Sequence, residues 1–308
     1  MTNVKKLGLT ALAGSLVATS AYAGALDVTG TAKVTYASLD ESEVTGNPWS
    51  MSQGIGFAGS GDLDVGTLSY TYTSTNMAFS SSNLKLDMGD SGTISFANGA
   101  SLTGMQAYYD KMPTAGEQVW DDLDGQANGV ATMSTTNTLG YSNTFSGIGV
   151  SIAYNKNAAA TVGSSKSFAL TSAGIIDGAE IGWAHADVAG ATNNNGTDSD
   201  TIYATYTAGS VTMGAQLTQI DKSAANSDVD RTHFAVSVAV NENLSVSLGQ
   251  SVVQFESAGT DDQEDVGIAF SYTMGSMTIA GFQNSEDNVG GTQGTDDSVT
   301  ELSVAFAF

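Results

Sequence analysis

Leu26-Asp27-Val28-Thr29-Gly30-Thr31-Ala32-Lys33-Val34-Thr35-Tyr36 is the stretch on which the fold turns. Leu26, Val28, Gly30, Ala32, Val34 and Tyr36 fall on one face, and Asp27, Thr29, Thr31, Lys33 and Thr35 on the other. A period of two is the side-chain repeat of a β-strand. The far end of the chain repeats it, with Leu302, Val304, Phe306 and Phe308 set against Glu301, Ser303, Ala305 and Ala307. Working inward from both ends, the alternation recurs in runs such as Leu68/Tyr70/Tyr72, Ile148/Val150/Ile152/Tyr154, Val211/Met213/Ala215/Leu217 and Val266/Ile268/Phe270/Tyr272. Sixteen strands are predicted in all, and only 101–112 offers a competing helical pattern.

The connections have their own rhythm. Short Gly/Ser/Asp/Asn turns are predicted at 61–66, 89–92, 146–149, 177–178, 209–210, 241–243 and 275–276. Between them lie long polar stretches at 40–48, 75–82, 97–137, 155–166, 187–199, 221–230, 256–265 and 284–298. Sixteen antiparallel strands with short turns collected at one end need this pattern. An open sheet of that size would expose two rows of unpaired N–H and C=O groups. A barrel in lipid closes both edges and turns its apolar face outward. The polar faces, rich in Thr, Ser and Gly, lack the side chains to fill an interior, and a ring of about sixteen strands leaves an aqueous channel. The expected fold is therefore an all-β, sixteen-stranded antiparallel transmembrane barrel.

Composition narrows the function. The 308 residues include 9 Lys+Arg against 32 Asp+Glu, a formal net charge of −23. That acidity argues against nucleic-acid binding, which depends on basic side chains meeting phosphates. The chain has no Cys, which removes disulfides, thiolate nucleophiles and Cys-ligated metals. No stretch past residue 23 is apolar for long enough to form a transmembrane helix. Residues 1–23 read as a secretory signal: Lys5 and Lys6 precede an apolar core, and Ala21-Tyr22-Ala23 forms the cleavage box. Cleavage after Ala23 leaves residues 24–308 as the barrel domain and takes the net charge from −23 to −25. His185 and His233 are the only histidines, and no catalytic spacing surrounds any Ser, so no enzymatic activity is expected.

The sequence resembles the Gram-negative outer-membrane porins of the sixteen-stranded, general-diffusion type, and is most similar to those of alphaproteobacteria. The resemblance rests on Gly24-Ala25-Leu26-Asp27-Val28-Thr29-Gly30, on Leu86-Asp87-Met88-Gly89-Asp90 before a long third loop, and on an aromatic C-terminus ending in Phe308. It implies location in the outer membrane among lipid and lipopolysaccharide, a homotrimer, and Phe308 as the signal read by the barrel assembly machinery. It also implies a third loop, here 97–137, folded inward to constrict the channel for small solutes and ions.

The constriction candidates are Asp110, Glu117, Asp121, Asp122 and Asp124 on that loop, with Lys33, Lys85 and Arg231 pointing inward by strand parity. In the family, the acidic loop faces a basic wall cluster. Here that cluster is thin, and cation preference is the expectation. No dedicated metal motif, and hence no cofactor, is expected. Asp121, Asp122 and Asp124 form a candidate Ca²⁺ set of hard oxygens, though their spacing is not that of a dedicated loop and simple solvation is the favoured reading. The alternatives are a substrate-specific outer-membrane channel and, further off, an exported β-rich adhesin.

Overall fold

The computed structural model describes residues 26–39, 46–99, 103–125, 130, 133, 135–156, 163–190 and 196–308. The signal segment 1–23, with Ala23, lies outside the described residues, as do parts of 97–137. The strands are β1 (Asp27–Leu39), β2 (Trp49–Leu63), β3 (Gly66–Thr75), β4 (Ala78–Asp87), β5 (Thr93–Asn98), β6 (Thr138–Phe145), β7 (Ile148–Lys156) and β8 (Ser164–Ala173). They continue as β9 (Ala179–Val188), β10 (Thr197–Ala208), β11 (Val211–Lys222), β12 (Val229–Ala239), β13 (Leu244–Phe255), β14 (Gln263–Met274), β15 (Met277–Asp287) and β16 (Asp296–Ala307). Each strand pairs antiparallel with its sequence neighbours, and β1 pairs with β16, closing the barrel. No helix among the described residues is long and apolar enough to cross a membrane.

Alternation sets which side chains face out. On β12–β14 Phe234, Leu248 and Ile268 are 56%, 63% and 60% exposed, while their strand neighbours His233, Ser251 and Asp265 are buried. An apolar outer face and a polar inner face follow from the period-two pattern alone. Register then lines up one inward row across seven strands: Tyr203, Gln216, His233, Ser251, Asp265, Glu286 and Asp297.

One connection departs from the expected rhythm. The stretch 75–82 reads as a long loop by composition, yet β3 and β4 are joined by Asn76 and Met77 alone. Both have positive φ, 52° and 65°. That is the geometry of a two-residue hairpin whose twist matches the flanking strands. Asn76 is tied to β2 by donating its N–H to Gln53 O at 2.8 Å and accepting the Gln53 N–H at 3.0 Å. The Ser/Thr run that suggested a loop lies on strands instead, with Thr73 and Ser81 sharing a hydroxyl contact at 2.6 Å.

At the closing seam, Phe308 exchanges backbone hydrogen bonds with Gly30, at 2.6 and 3.0 Å. A Cβ at Gly30 would lie 2.6 Å from the Phe308 ring. Gly30→Val is expected to push that ring off the seam and cost about 1–3 kcal/mol of overpacking. A lower temperature for the heat-induced mobility shift of the folded barrel in detergent gels checks this.

The largest buried apolar cluster among the described residues lies inside the barrel. Met105, Tyr108, Met112 and Trp120 pack against Ala169, Ala184, Ala186, Tyr203 and Ala235 of the wall. Several wall positions under this segment are Ala or Gly, which brings its backbone close there. At Gly249, for instance, a Cβ would lie 2.9 Å from Val119 Cγ1.

Candidate functional site: an acidic cavity between an internal segment and the β16–β1 wall

Residues 103–125 are held to the inner wall of β7–β16 by hydrogen bonds along their length. The Gly104 N–H donates to Ser151 Oγ at 2.8 Å and Gln216 Nε2 to Tyr108 O at 3.1 Å. Asn284 Nδ2 donates to Gln118 O at 2.9 Å and to Asp121 O at 3.1 Å. The Asp124 and Gly125 N–H groups donate to the carboxylates of Asp297 and Glu286, at 2.8 and 3.0 Å. A short 3₁₀ turn, Gly104–Tyr108, stands within the stretch whose pattern suggested a helix. Further along, the Trp120 ring centre lies 4.6 Å from that of His233.

What the segment leaves open is a cavity of about 880 Å³ on the side of β16 and β1. Asp110, Glu117, Asp121, Asp122, Tyr109, Met112, Thr114, Gly116 and Gln118 line it from the segment, and Lys33 and Glu301 from the wall. Lys33 Nζ lies 2.8 Å from Glu301 Oε1, so the wall's one ammonium in this cavity is already paired with a carboxylate. Among the described residues, five carboxylates thus face one ammonium. Burial and mutual repulsion raise the carboxyls of Asp110 and Glu117 above the ordinary range: Asp110 is opposed by Glu117, and Glu117 chiefly by Asp121. Burial raises Asp121 too, against a hydrogen bond accepted from the Gln118 N–H at 2.7 Å.

The structure brings together Asp110, Glu117, Asp121, Asp122 and Lys33 of the sequence candidates and leaves three apart. Arg231 is buried on β12, within electrostatic reach of Asp265 and Tyr109, and does not line the cavity. Lys85 is exposed on β4, opposite Ser69 and Ser95, with no ion pair among the described residues. Asp124 is engaged through its backbone and also lies off the cavity. The Asp121, Asp122 and Asp124 set does not converge either: among the described residues no three His, Asp or Glu side chains are placed to hold a metal ion.

Two participants were missed from sequence. Glu301 shares the inward parity of Ser303, but its position beside Lys33 requires knowing that β1 pairs with β16. Glu180, on β9, takes the segment's one lysine, Lys111, at 2.9 Å. A further large opening, about 810 Å³, lies beside β5–β8 and has Asp90 as its one carboxylate among the described residues.

No protein-family model matches the sequence, and no curated protein matches it significantly. Solved structures do resemble it in fold. A mutant of the Rh. blastica porin superposes with a TM-score of 0.67 at 16% identity, covering 92% of this chain and 100% of its own. The anion-selective porin from Comamonas acidovorans gives 0.66 at 15% identity, covering 92% and 99%. OmpT, an outer membrane protein of Vibrio cholerae, gives 0.68 at 10% identity, covering 92% and 97%. The chain thus has the closed sixteen-stranded barrel fold of bacterial porins.

Proposed function

We propose that this protein is an outer-membrane porin whose water-filled channel passes small hydrophilic solutes and ions by diffusion, prefers cations, and catalyses no reaction. The observation that carries the reading is the charge balance of the cavity, with Asp110, Glu117, Asp121, Asp122 and Glu301 against a Lys33 already paired to Glu301. Carboxylates gathered at a narrowing attract cations and repel anions. The wall beside it on β1 and β2 supports a path for neutral polar solutes, since Thr29, Thr31, Ser50, Ser52, Gly54 and Gly56 share the inward parity of Lys33.

An apolar outer face supports the placement in lipid. The homotrimer, the lipopolysaccharide contact and the reading of Phe308 by the assembly machinery belong to the same proposal and rest on the resemblance. The fold it shares with a porin described as anion-selective does not set the sign of selectivity; the lining does.

Planar bilayers holding the purified protein test the reading. Stepwise ohmic currents are expected, with a reversal potential in a KCl gradient of the sign set by K⁺. Absence of channels, or a potential set by Cl⁻, overturns it.

A further inference from the structure

The internal segment carries a cation of its own, and the fold takes it out of play. Lys111 is the only Lys or Arg in 97–137, and it directly follows Asp110, which lines the acidic cavity. A free lysine there would have a flexible stem and four nearby carboxylates of opposite charge to turn towards. Instead its ammonium is drawn to the opposite side, 2.9 Å from Glu180 Oε1 on β9. It lies 5.0 Å from the centre of the Tyr203 ring and 5.7 Å from that of Tyr108, within the range at which a ring face attracts a cation.

Each part of this cradle is itself fixed. Tyr203 Oη donates to the same Glu180 Oε1 at 2.5 Å. The two tyrosine rings meet edge to face at 4.7 Å, and Tyr108 Oη donates to Leu170 O at 2.5 Å. The pair itself is only partly covered, with side-chain exposures of 28% and 35%. A partly exposed ion pair contributes little to stability, so its effect is on where the charge sits.

We infer that Glu180 determines the ion selectivity of the pore by holding Lys111 away from the acidic cavity. Glu180 is thus a positioning residue, acting through Lys111 with no contact to the permeating ion. The inference rests on the cation-preferring pore proposed above. The cavity keeps its excess negative charge only while the neighbouring ammonium is neutralised elsewhere.

Permeability ratios from reversal potentials, measured on the full chain in bilayers under a KCl gradient, test it. Glu180→Gln releases Lys111 and is expected to lower the K⁺/Cl⁻ ratio about threefold, the combined effect on the two ions of one unit charge brought to within about 6 Å in water and screened at 0.1 M salt. Adding Lys111→Gln to that variant is expected to restore the ratio, while Lys111→Gln in the unmodified chain shifts it by less than half as much. Glu180→Asp leaves net charge unchanged on a shorter stem and is expected to shift the ratio in the same direction as Glu180→Gln, which charge counting or a purely structural role does not produce.

An equal effect of Lys111→Gln in both backgrounds overturns the inference, as does an unchanged ratio in Glu180→Asp. Should Glu180→Gln fail to assemble, Glu180→Asp alone decides it. An anion-preferring unmodified protein would refute the proposed function instead, and the shifts between variants would still be readable.

Discussion

Replacing Asp110, Glu117, Asp121 and Asp122 together by Asn and Gln is expected to abolish the proposed cation preference and leave the barrel assembled. One unit charge about 6 Å from an ion in water changes the ion's energy by about 0.7 kcal/mol. Four such charges sum to about 3 kcal/mol before screening. At 0.1 M salt, where the Debye length is about 10 Å, a change on the order of tenfold remains for each ion, downward for cations and upward for anions, so the cation-to-anion permeability ratio falls by more than tenfold. The substitutions should not unfold the segment. Burial and mutual repulsion already disfavour the charged forms of Asp110, Glu117 and Asp121, so neutral isosteres relieve a cost. After Asp121→Asn the side-chain amide oxygen would still accept the hydrogen bond that Asp121 takes from the Gln118 N–H.

Acid should reproduce the effect without mutation. A carboxyl with a raised pKa takes up its proton at a higher pH than an ordinary one and is neutral below it. Cation preference is therefore expected to be full at neutral pH and to decline as pH falls, beginning above the ordinary carboxylate range of about 4. Reversal potentials measured across a pH series check this. A decline confined to pH values below that range would contradict the assignment of these groups to the narrowing.

The second large effect is expected at Gly104, where the internal segment meets the wall. Its φ is +63°, and a Cβ there would lie 1.9 Å from Ser167 Oγ and 3.0 Å from Ala153 Cβ. Gly104→Val combines a left-handed backbone with a collision, a strain on the order of 2–5 kcal/mol. The barrel is closed by ladders on every strand, so the strain falls on the docking of 103–125, which is expected to lift from β7 and β8. Larger single-channel conductance with the same heat stability of the barrel is the expected result. Gly116→Ala serves as control, since its Cβ would meet only Ala269 Cβ at an ordinary 3.7 Å. Equal conductances for the two variants would show that the docked segment does not limit the pore.

Most of the barrel was legible because each strand is a local pattern: one residue in two faces outward, whatever its neighbours do. The misread connection, Asn76–Met77, shows the limit of composition. Ser and Thr mark loops in water, yet on the polar face of a barrel they are also proper strand residues. The candidate site was legible in part. A loop of this length carrying Asp110, Glu117, Asp121 and Asp122 was visible as an acidic segment. The fates of Arg231 and Lys85 were not, since parity says which face a side chain takes but neither whether it is buried, as Arg231 is, nor whether its strand borders the cavity, which that of exposed Lys85 does not.

The amino-acid sequence by itself determined the strand count, the outward and inward faces, and the excess of negative charge, because all three are local or additive. Tertiary structure alone decided where the few positive charges end up. Closure of β1 on β16 brings Glu301 to Lys33, and docking of the internal segment brings Lys111 to Glu180. Both pairings join residues far apart in the chain, over distances where Coulomb attraction in water fades within about 10 Å. Only the folded barrel brings them within reach, and so leaves the cavity acidic.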